Sequence, residues 1–246
     1  MRQTQNLVMN SLNIATWNIL FDHRPSSPFT PQSERYESIA AKLLEMKDGL
    51  DVVCLSEVHA PHGISYGQKI SELVFGTPGF WVDHSREDEQ IGFCGPKVES
   101  IEPVVLGEDK TAVITKVGDV SIAGAHLTYM LKGTHVRVMQ INVLLDRLKN
   151  EEKAVIMGDF NALPWQKPRK LIEKAGYQSV FSLLGISRKP TTPTADYMKY
   201  LKPYERMLVG KGLSLDDIYI KGLEVESTGV LEADSDHLGI WAKIKI

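Results

Sequence analysis

The alternation of apolar and polar positions divides most of the chain into strands and helices. Residues 12–20 form an apolar run with β-branched side chains and predict a buried strand. Pro25, Pro28 and Pro31, with Ser26 and Ser27, predict a loop after it. Over 33–48, Tyr36, Ile39, Ala40, Leu43 and Leu44 recur at helical spacing while Glu34, Lys42 and Glu45 face the other way, which predicts an amphipathic helix. A short strand at 51–56 follows Gly49, then a helix at 67–75 and strands at 79–84, 90–95 and 98–106. Residues 111–117 and 119–127, joined by Val117-Gly118-Asp119, carry a hairpin signal. Val138, Ile141, Leu145 and Leu148 give a second helical stripe over 135–150. Residues 153–157 predict a strand, 165–175 a helix ending at Gly176, and 215–221, 223–231 and 238–246 three further strands. Helices fall between strands in the first two-thirds and strands cluster at the end. That order predicts a layered α/β protein with mixed sheets rather than a purely parallel, doubly wound one. Residues 185–213 are the one long irregular segment.

A length of 246 residues suits a single α/β domain. A chain of this size buries roughly 70–75% of its unfolded surface and folds without disulfides or a structural metal. With 43% hydrophobic and 24% charged residues, disorder, collagen and coiled coil are excluded. The 28 Lys and Arg against 31 Asp and Glu leave a net charge of −3, which argues against a protein that coats nucleic acid nonspecifically. A local basic groove remains compatible with that balance. Residues 185–213 hold six basic side chains (Arg188, Lys189, Lys199, Lys202, Arg206, Lys211) against two acidic ones, Asp196 and Glu205. Cys54 and Cys94 are too few for a disulfide scaffold or a structural zinc site, and Cys54 in Val52-Val53-Cys54-Leu55 reads as a small hydrophobe. The first residues, 1–6, lead into no apolar segment, and no run reaches the length of a membrane span. The expectation is a soluble, cytoplasmic monomer.

Polar residues close the apolar strands. The runs finish in Trp17-Asn18, Leu55-Ser56-Glu57, Ala125-His126, Met157-Gly158-Asp159-Phe160-Asn161, Leu215-Asp216 and Ser235-Asp236-His237. Strand-end loops are where layered α/β folds gather reactive groups. Asp, Glu and Asn are hard oxygen ligands suited to Mg²⁺ or Mn²⁺, and the histidines add proton-transfer capacity near neutral pH. Each piece alone is weak, since a single strand-end Asp or Asn is more often a cap or turn former, and a lone His126 more often a satisfied core histidine. In extended chain Asp159 and Asn161 share a face, and Gly158 allows close backbone approach, so this segment is harder to set aside.

In their order, these motifs resemble the endonuclease/exonuclease/phosphatase superfamily with the DNase I-like fold, from residue 14 to the C-terminus. The resemblance implies a four-layer α/β sandwich, two packed mixed sheets flanked by helices, over one domain spanning 1–246 with a core of about 12–246. It implies a phosphoesterase using Mg²⁺ or Mn²⁺. Glu57 is expected as the principal metal ligand, supported by Asn18 and Asp236. Asp159 is expected to orient or deprotonate the attacking water, with Asn161 beside it on a phosphate oxygen. His237 is expected against the scissile phosphate, its other nitrogen on Asp216, and His126 is expected to stabilise the developing charge or protonate the leaving oxygen. Asp217, the neighbour of Asp216, is read as outward-facing or a minor contact.

Arg137, with Gln140 three residues on, is a candidate phosphate contact, the alternative being a structural salt bridge. His59 shares parity with Glu57 and is a candidate for the site rim, the alternative being solvent. The stretch from Asp83 to Glu89 reads as a solvated loop, and Trp165 as packing on the next helix or stacking on a base or sugar. Two family positions differ here, Ala125 before His126 and Ser56 before Glu57, and neither is a reacting group. For substrate, the basic segment favours a nuclease acting on nucleic acid or its ends. The alternative is a phosphatase or phosphodiesterase for a small-molecule or lipid headgroup phosphate. A non-catalytic binding module would have lost some of these positions, and all are present.

Overall fold

Alternating side chains along the strands build two facing sheets. The structure, a computed structural model, describes residues 11–21, 31–46, 49–84, 88–107, 109–129 and 133–246. The predicted loop around Pro25 to Pro28 and residues 85–87 of the predicted acidic loop lie outside them. In chain order the elements are β1 (Ser11–Asn18), α1 (Gln32–Leu44), β2 (Val52–His59), α2 (Tyr66–Phe75), β3 (Phe80–Asp83), β4 (Glu89–Cys94), β5 (Glu102–Gly107), β6 (Lys110–Val117) and β7 (Val120–His126). Then come α3 (Thr134–Arg147), β8 (Lys153–Asp159), α4 (Lys167–Lys174), β9 (Gln178–Ser179), α5 (Val180–Leu183), α6 (Ala195–Met198), α7 (Pro203–Val209), β10 (Asp216–Lys221), β11 (Glu224–Leu231) and β12 (Gly239–Lys245).

One six-stranded sheet has the order β11-β12-β1-β2-β4-β3 and the other β5-β6-β7-β8-β10-β9. Each is mixed, with one parallel pair near its centre, β1 with β2 and β7 with β8. Between the sheets lies a core that includes Leu12, Ile14, Val52, Cys54, Phe93, Ile122, Val155, Met157, Ile218 and Ile240. Ile39, Leu43 and Ile70 of α1 and α2 pack on the outer face of the first sheet, against Ala15, Trp17 and Leu55. Ile141, Leu144 and Ile172 of α3 and α4 pack on the outer face of the second. The four-layer sandwich implied by the motifs is therefore the observed fold.

Period-two alternation assigns each strand one row to the inter-sheet core and one to a helix layer. In β1 the inner row is Leu12 and Ile14, continued by Thr16 and Asn18. In β8 it is Val155 and Met157, continued by Asp159, and in β10 Ile220 and Ile218, continued by Asp216. The inter-sheet core thus turns polar at one end.

Some local expectations are corrected. Residues 185–213 are not wholly irregular, since they hold α6, α7 and a bridge between Thr192 and Leu213. The α3 stripe is shifted: Val136, Arg137, Gln140, Ile141, Leu144 and Leu148 are buried, while Val138 and Leu145 are half-buried. In α1, Gln32 and Arg35 are buried and Leu44 is exposed, because the buried polar side chains serve the loop above the helix instead of solvent. Cys54 and Cys94 are free thiols in the core, both raised by burial, Cys94 to about 12.

Gly158 makes the close approach that its position suggested. Its φ is 140°, and a Cβ there would sit 1.9 Å from the carbonyl oxygen of Ala125 on β7. Gly158→Ala is therefore expected to destabilise the protein by about 2 kcal/mol or more, through both strain and strand separation. Urea unfolding with an unchanged midpoint would contradict this.

Candidate active site

The predicted residues converge at the polar end of the inter-sheet space. Asn18 ends β1, His126 ends β7, Asp159 ends β8 and Asp216 begins β10, which runs antiparallel to β8 and pairs Asp216 with Asp159. His126 pairs with Asp159 across the parallel β7–β8 ladder. The loop before β12 brings Asp236 and His237, and it is stapled to β1. Trp17 Nε1 donates to the His237 carbonyl at 2.9 Å, and Ser235 Oγ donates to the Asn18 carbonyl at 2.8 Å.

Glu57 reaches the same space by a different device. Strict alternation after Val53 and Leu55 would point it at the helix layer. A register shift between Leu55 and Val58, with Glu57 at φ 55°, turns it inward. Its Oε2 accepts from the Phe21 amide at 2.9 Å, and its own carbonyl accepts from Gln32 Nε2 at 2.7 Å. The bulge also removes the parity that linked His59 to Glu57. His59 lies instead against Phe21, with ring centroids 4.8 Å apart, and near Tyr66.

Asn18 Nδ2 donates to Glu57 Oε1 at 3.0 Å and to Asp159 Oδ2 at 3.2 Å, while its Oδ1 accepts from the Leu20 amide at 3.0 Å. Asn18 therefore braces two carboxylates through its amide nitrogen. Asn161 meets Asp159 by a turn and not by extended parity. At φ 46° its own amide donates to Asp159 Oδ1 at 2.8 Å. Its Nδ2 donates to the Leu127 carbonyl at 3.0 Å and approaches Asp159 Oδ2 at 3.4 Å.

Two histidines face these carboxylates. His237 Nδ1 pairs with Asp216 Oδ2 at 2.8 Å, and its Nε2 lies 3.9 Å from Asp159 Oδ2. His126 Nε2 lies 3.5 Å from Glu57 Oε1 and 3.8 Å from Asp159 Oδ2, and its Nδ1 is 3.7 Å from Glu89 Oε1. Asp159, Asp216 and His237 offer ligand atoms all within 4.8 Å of one another, as do His84, Glu89 and His126. Asp236 is half-buried, and its Oδ1 is a buried oxygen without a hydrogen-bond partner among the described residues.

Glu89 and His84 were missed by the sequence reading, which placed them in a solvated loop. Both are 2% exposed. The signal was present in strand parity: Phe80 and Val82 precede His84, and Phe93 and Ile91 run back to Glu89, all on the inner row. His84 stacks on His126 with centroids 5.2 Å apart, donates from Nδ1 to the Thr111 carbonyl at 2.8 Å and accepts from Lys110 Nζ at 3.0 Å. Burial and the Lys110 charge hold it neutral, with its pKa lowered to about 3.

Other expectations fall elsewhere. Arg137 is 1% exposed and donates to the Thr128 and Tyr129 carbonyls at 3.3 and 3.2 Å, and no carboxylate among the described residues pairs with it. With Gln140, whose Oε1 accepts from the Thr128 amide at 3.0 Å, it holds the loop that follows His126. Neither the expected phosphate contact nor the salt bridge describes it. Asp217 is not outward-facing in the sense of solvent. It is fully buried on the far side of β10, bound by Arg169 and, at 2.9 Å, by Arg188 Nε. Trp165 is 70% exposed, so it does not pack on the next helix.

Burial raises Asp159 to about 7, reinforced by the charge of Asp216, and raises Asp236 to about 6, with Glu57 adding to it. Burial alone would lower His237, but Asp216, Asp236 and Asp159 outweigh it and hold it well above the usual imidazole value. In all three cases the folded state binds protons more tightly than the unfolded state. Stability without a cation is then greatest below about pH 4 to 5 as far as these groups contribute, and falls as pH rises through 6 and 7. Thermal melts in EDTA should show that fall, and Asp159→Asn should flatten it and raise the midpoint at pH 8 by about 2–4 °C, the equivalent of about 1 kcal/mol. A slope left unchanged by Asp159→Asn would remove Asp159 as its source.

A family model described as Endonuclease/Exonuclease/phosphatase family matches residues 15–237. A search of curated proteins returns no significant match. Among solved structures, the human nocturnin catalytic domain with bound sulfate is similar at 20% identity and TM-score 0.71, covering 96% of this chain and 95% of that one. TDP2 of D. rerio complexed with single strand DNA product matches at 16% identity and TM-score 0.71, covering 96% and 99%. The mannosyl-6-phosphatase of Bacteroides thetaiotaomicron matches at 15% identity and TM-score 0.69, covering 95% and 99%. At these identities the likeness establishes the shared fold.

Proposed function

The chain belongs to the endonuclease/exonuclease/phosphatase family, and from that premise we propose that it is a divalent-metal-dependent phosphodiesterase, a nuclease acting on nucleic acid or its ends. One observation carries the reading: two histidines and four carboxylates face one another at the polar end of the inter-sheet space, with His237 fixed on Asp216 at 2.8 Å.

The donor set suits a hard cation. Glu57 offers Oε1 and Asp236 an Oδ1 that has no hydrogen-bond partner among the described residues, and an unsatisfied buried oxygen costs about 1–3 kcal/mol unless something meets it. Mg²⁺ or Mn²⁺ held there would offset the charge of a phosphate ester. Asp159, raised toward neutrality by burial, is suited to take a proton from an attacking water, and the amides of Asn18 and Asn161 hold its two oxygens in place. His237, protonated and held by Asp216, supplies a donor to the phosphoryl oxygens. His126, facing Glu57 and Asp159, is placed to donate to the developing charge or the leaving oxygen.

Local charge favours a polyanionic diester over a small monoester. Of the six basic residues in 185–213, Arg188 is spent on Asp217, but Lys189, Lys199, Lys202, Arg206 and Lys211 are exposed. The panel that tests this spans single- and double-stranded DNA, RNA, bis(p-nitrophenyl) phosphate, phosphomonoesters and lipid headgroups, with Mg²⁺ or Mn²⁺. Diester hydrolysis should vanish with EDTA and fall about 10²–10⁴-fold in Glu57→Ala and His237→Ala. Asp216→Asn should lower turnover about 10–100-fold in a folded protein. Full activity in Glu57→Ala would defeat the metal assignment, and turnover confined to monoesters or headgroups would replace the nuclease reading.

A further inference from the structure

Between α5 and β10 the chain makes a long excursion and returns beside the catalytic cluster. The excursion is tied down at both ends by the residues that carry the chemistry. Thr191 Oγ1 accepts from the Leu215 and Asp216 amides at 3.1 and 3.2 Å. The Thr194 amide donates to the Asp236 carbonyl at 2.9 Å, and Thr194 Oγ1 donates to the Ser235 carbonyl at 2.9 Å. Tyr197, 5% exposed, roots the first helical turn through its hydroxyl on Asp234 Oδ1 at 2.7 Å. The segment spanning α6 and α7 is therefore fixed next to the Asp216 and Asp236–His237 ends.

Its outer surface has an unusual make-up. Tyr200, Tyr204 and Met207 are 43, 55 and 78% exposed, and Lys199, Lys202, Arg206 and Lys211 are exposed among them. The cations sit by the rings. Lys199 Nζ is 5.0 Å from the Tyr200 centroid and Lys202 Nζ 5.9 Å from that of Tyr204. Tyr200 also rests edge-on against the rooted Tyr197, at 6.0 Å, so its ring is held in place. Arg206 closes the turn between the two helices, donating to the Lys199 and Leu201 carbonyls at 2.6 and 2.9 Å.

We infer that α6 and α7 form a docking arm for single-stranded nucleic acid, with Tyr200 and Tyr204 stacking on unpaired bases and Lys199, Lys202 and Lys211 neutralising the phosphates beside them. The inference rests on the phosphodiesterase reading and names the substrate class of that site. Alternating rings and cations match a strand that presents bases and phosphates in alternation. A duplex conceals the base faces that the rings would need. An anionic bilayer would be met by an aliphatic face, whereas here Tyr200 and Tyr204 stand exposed beside Lys199 and Lys202.

The test compares the full chain with Tyr200→Ala/Tyr204→Ala and Lys199→Glu/Lys202→Glu. The first readout is the ratio of kcat/KM for a fluorescein-labelled oligothymidylate to that for bis(p-nitrophenyl) phosphate, with Mg²⁺. Both variants should lower the ratio about tenfold or more through KM, and the lysine variant should flatten the dependence of log kcat/KM on log salt by about one unit. The second readout is anisotropy of the same oligonucleotide in EDTA, where hydrolysis is absent, beside sedimentation with phosphatidylserine vesicles. Weakened oligonucleotide binding in the variants, with neither substrate hydrolysed by any form, would end the phosphodiesterase reading and leave the arm standing. An unchanged ratio with unchanged anisotropy overturns the arm, as does vesicle binding lost in the variants while oligonucleotide binding persists. A preference for duplex over single strand also overturns it.

Discussion

Like charges crowded away from water repel, and that repulsion sets the terms for this molecule. Asp159 is held between Asp216 and Glu57 at the mouth of an apolar core, and burial already disfavours its ionised form. Such a group stays where it is only because the surroundings leave it no other position. The β7–β8 ladder fixes its backbone, Asn18 and Asn161 fix its oxygens, and His237 provides the opposing charge. The strain is that of an anion site, and a cation or a protonated imidazole relieves it.

The fold delivers these groups economically because strands alternate. Once the inner row of a strand has filled the space between the sheets, its last member emerges at the rim, and a polar residue there costs little packing. Asn18, His126, Asp159 and Asp216 all arrive by this route, as do His84 and Glu89 from the edge of the first sheet. Glu57 alone needs a bulge with left-handed backbone, a conformation that the ligand-like contacts to Phe21, Gln32 and Asn18 hold in place.

This explains what the sequence disclosed and what it hid. Strand ends and their polar residues were legible because periodicity and position are local properties, and the motif order then implied the two-sheet sandwich. Glu57 and His59 were assigned to one face because a bulge is invisible to parity. His84 and Glu89 were hidden by the charged residues around them, which made an edge-strand turn look like a solvated loop. Arg35, Arg137 and Arg169 are each buried and hydrogen-bonded to backbone carbonyls of loops that adjoin the site. Nothing local in the sequence marks a cation that will be consumed by distant carbonyls.

The adjacent pair Asp216 and Asp217 has a consequence for how β10 can be altered. Asp216 points to His237 above the sheet, and Asp217 to Arg169, Arg188 and Ser179 beneath it. A slip of one residue in either direction would put the wrong carboxylate at one of the two positions and Leu215 or Ile218 at the other, where a charge is required. The two acids therefore act as the two wards of a key, admitting a single register. Insertions and deletions in the loop before β10 can be absorbed only if they leave this strand's alignment untouched, which confines length variation to the arm's outer turns.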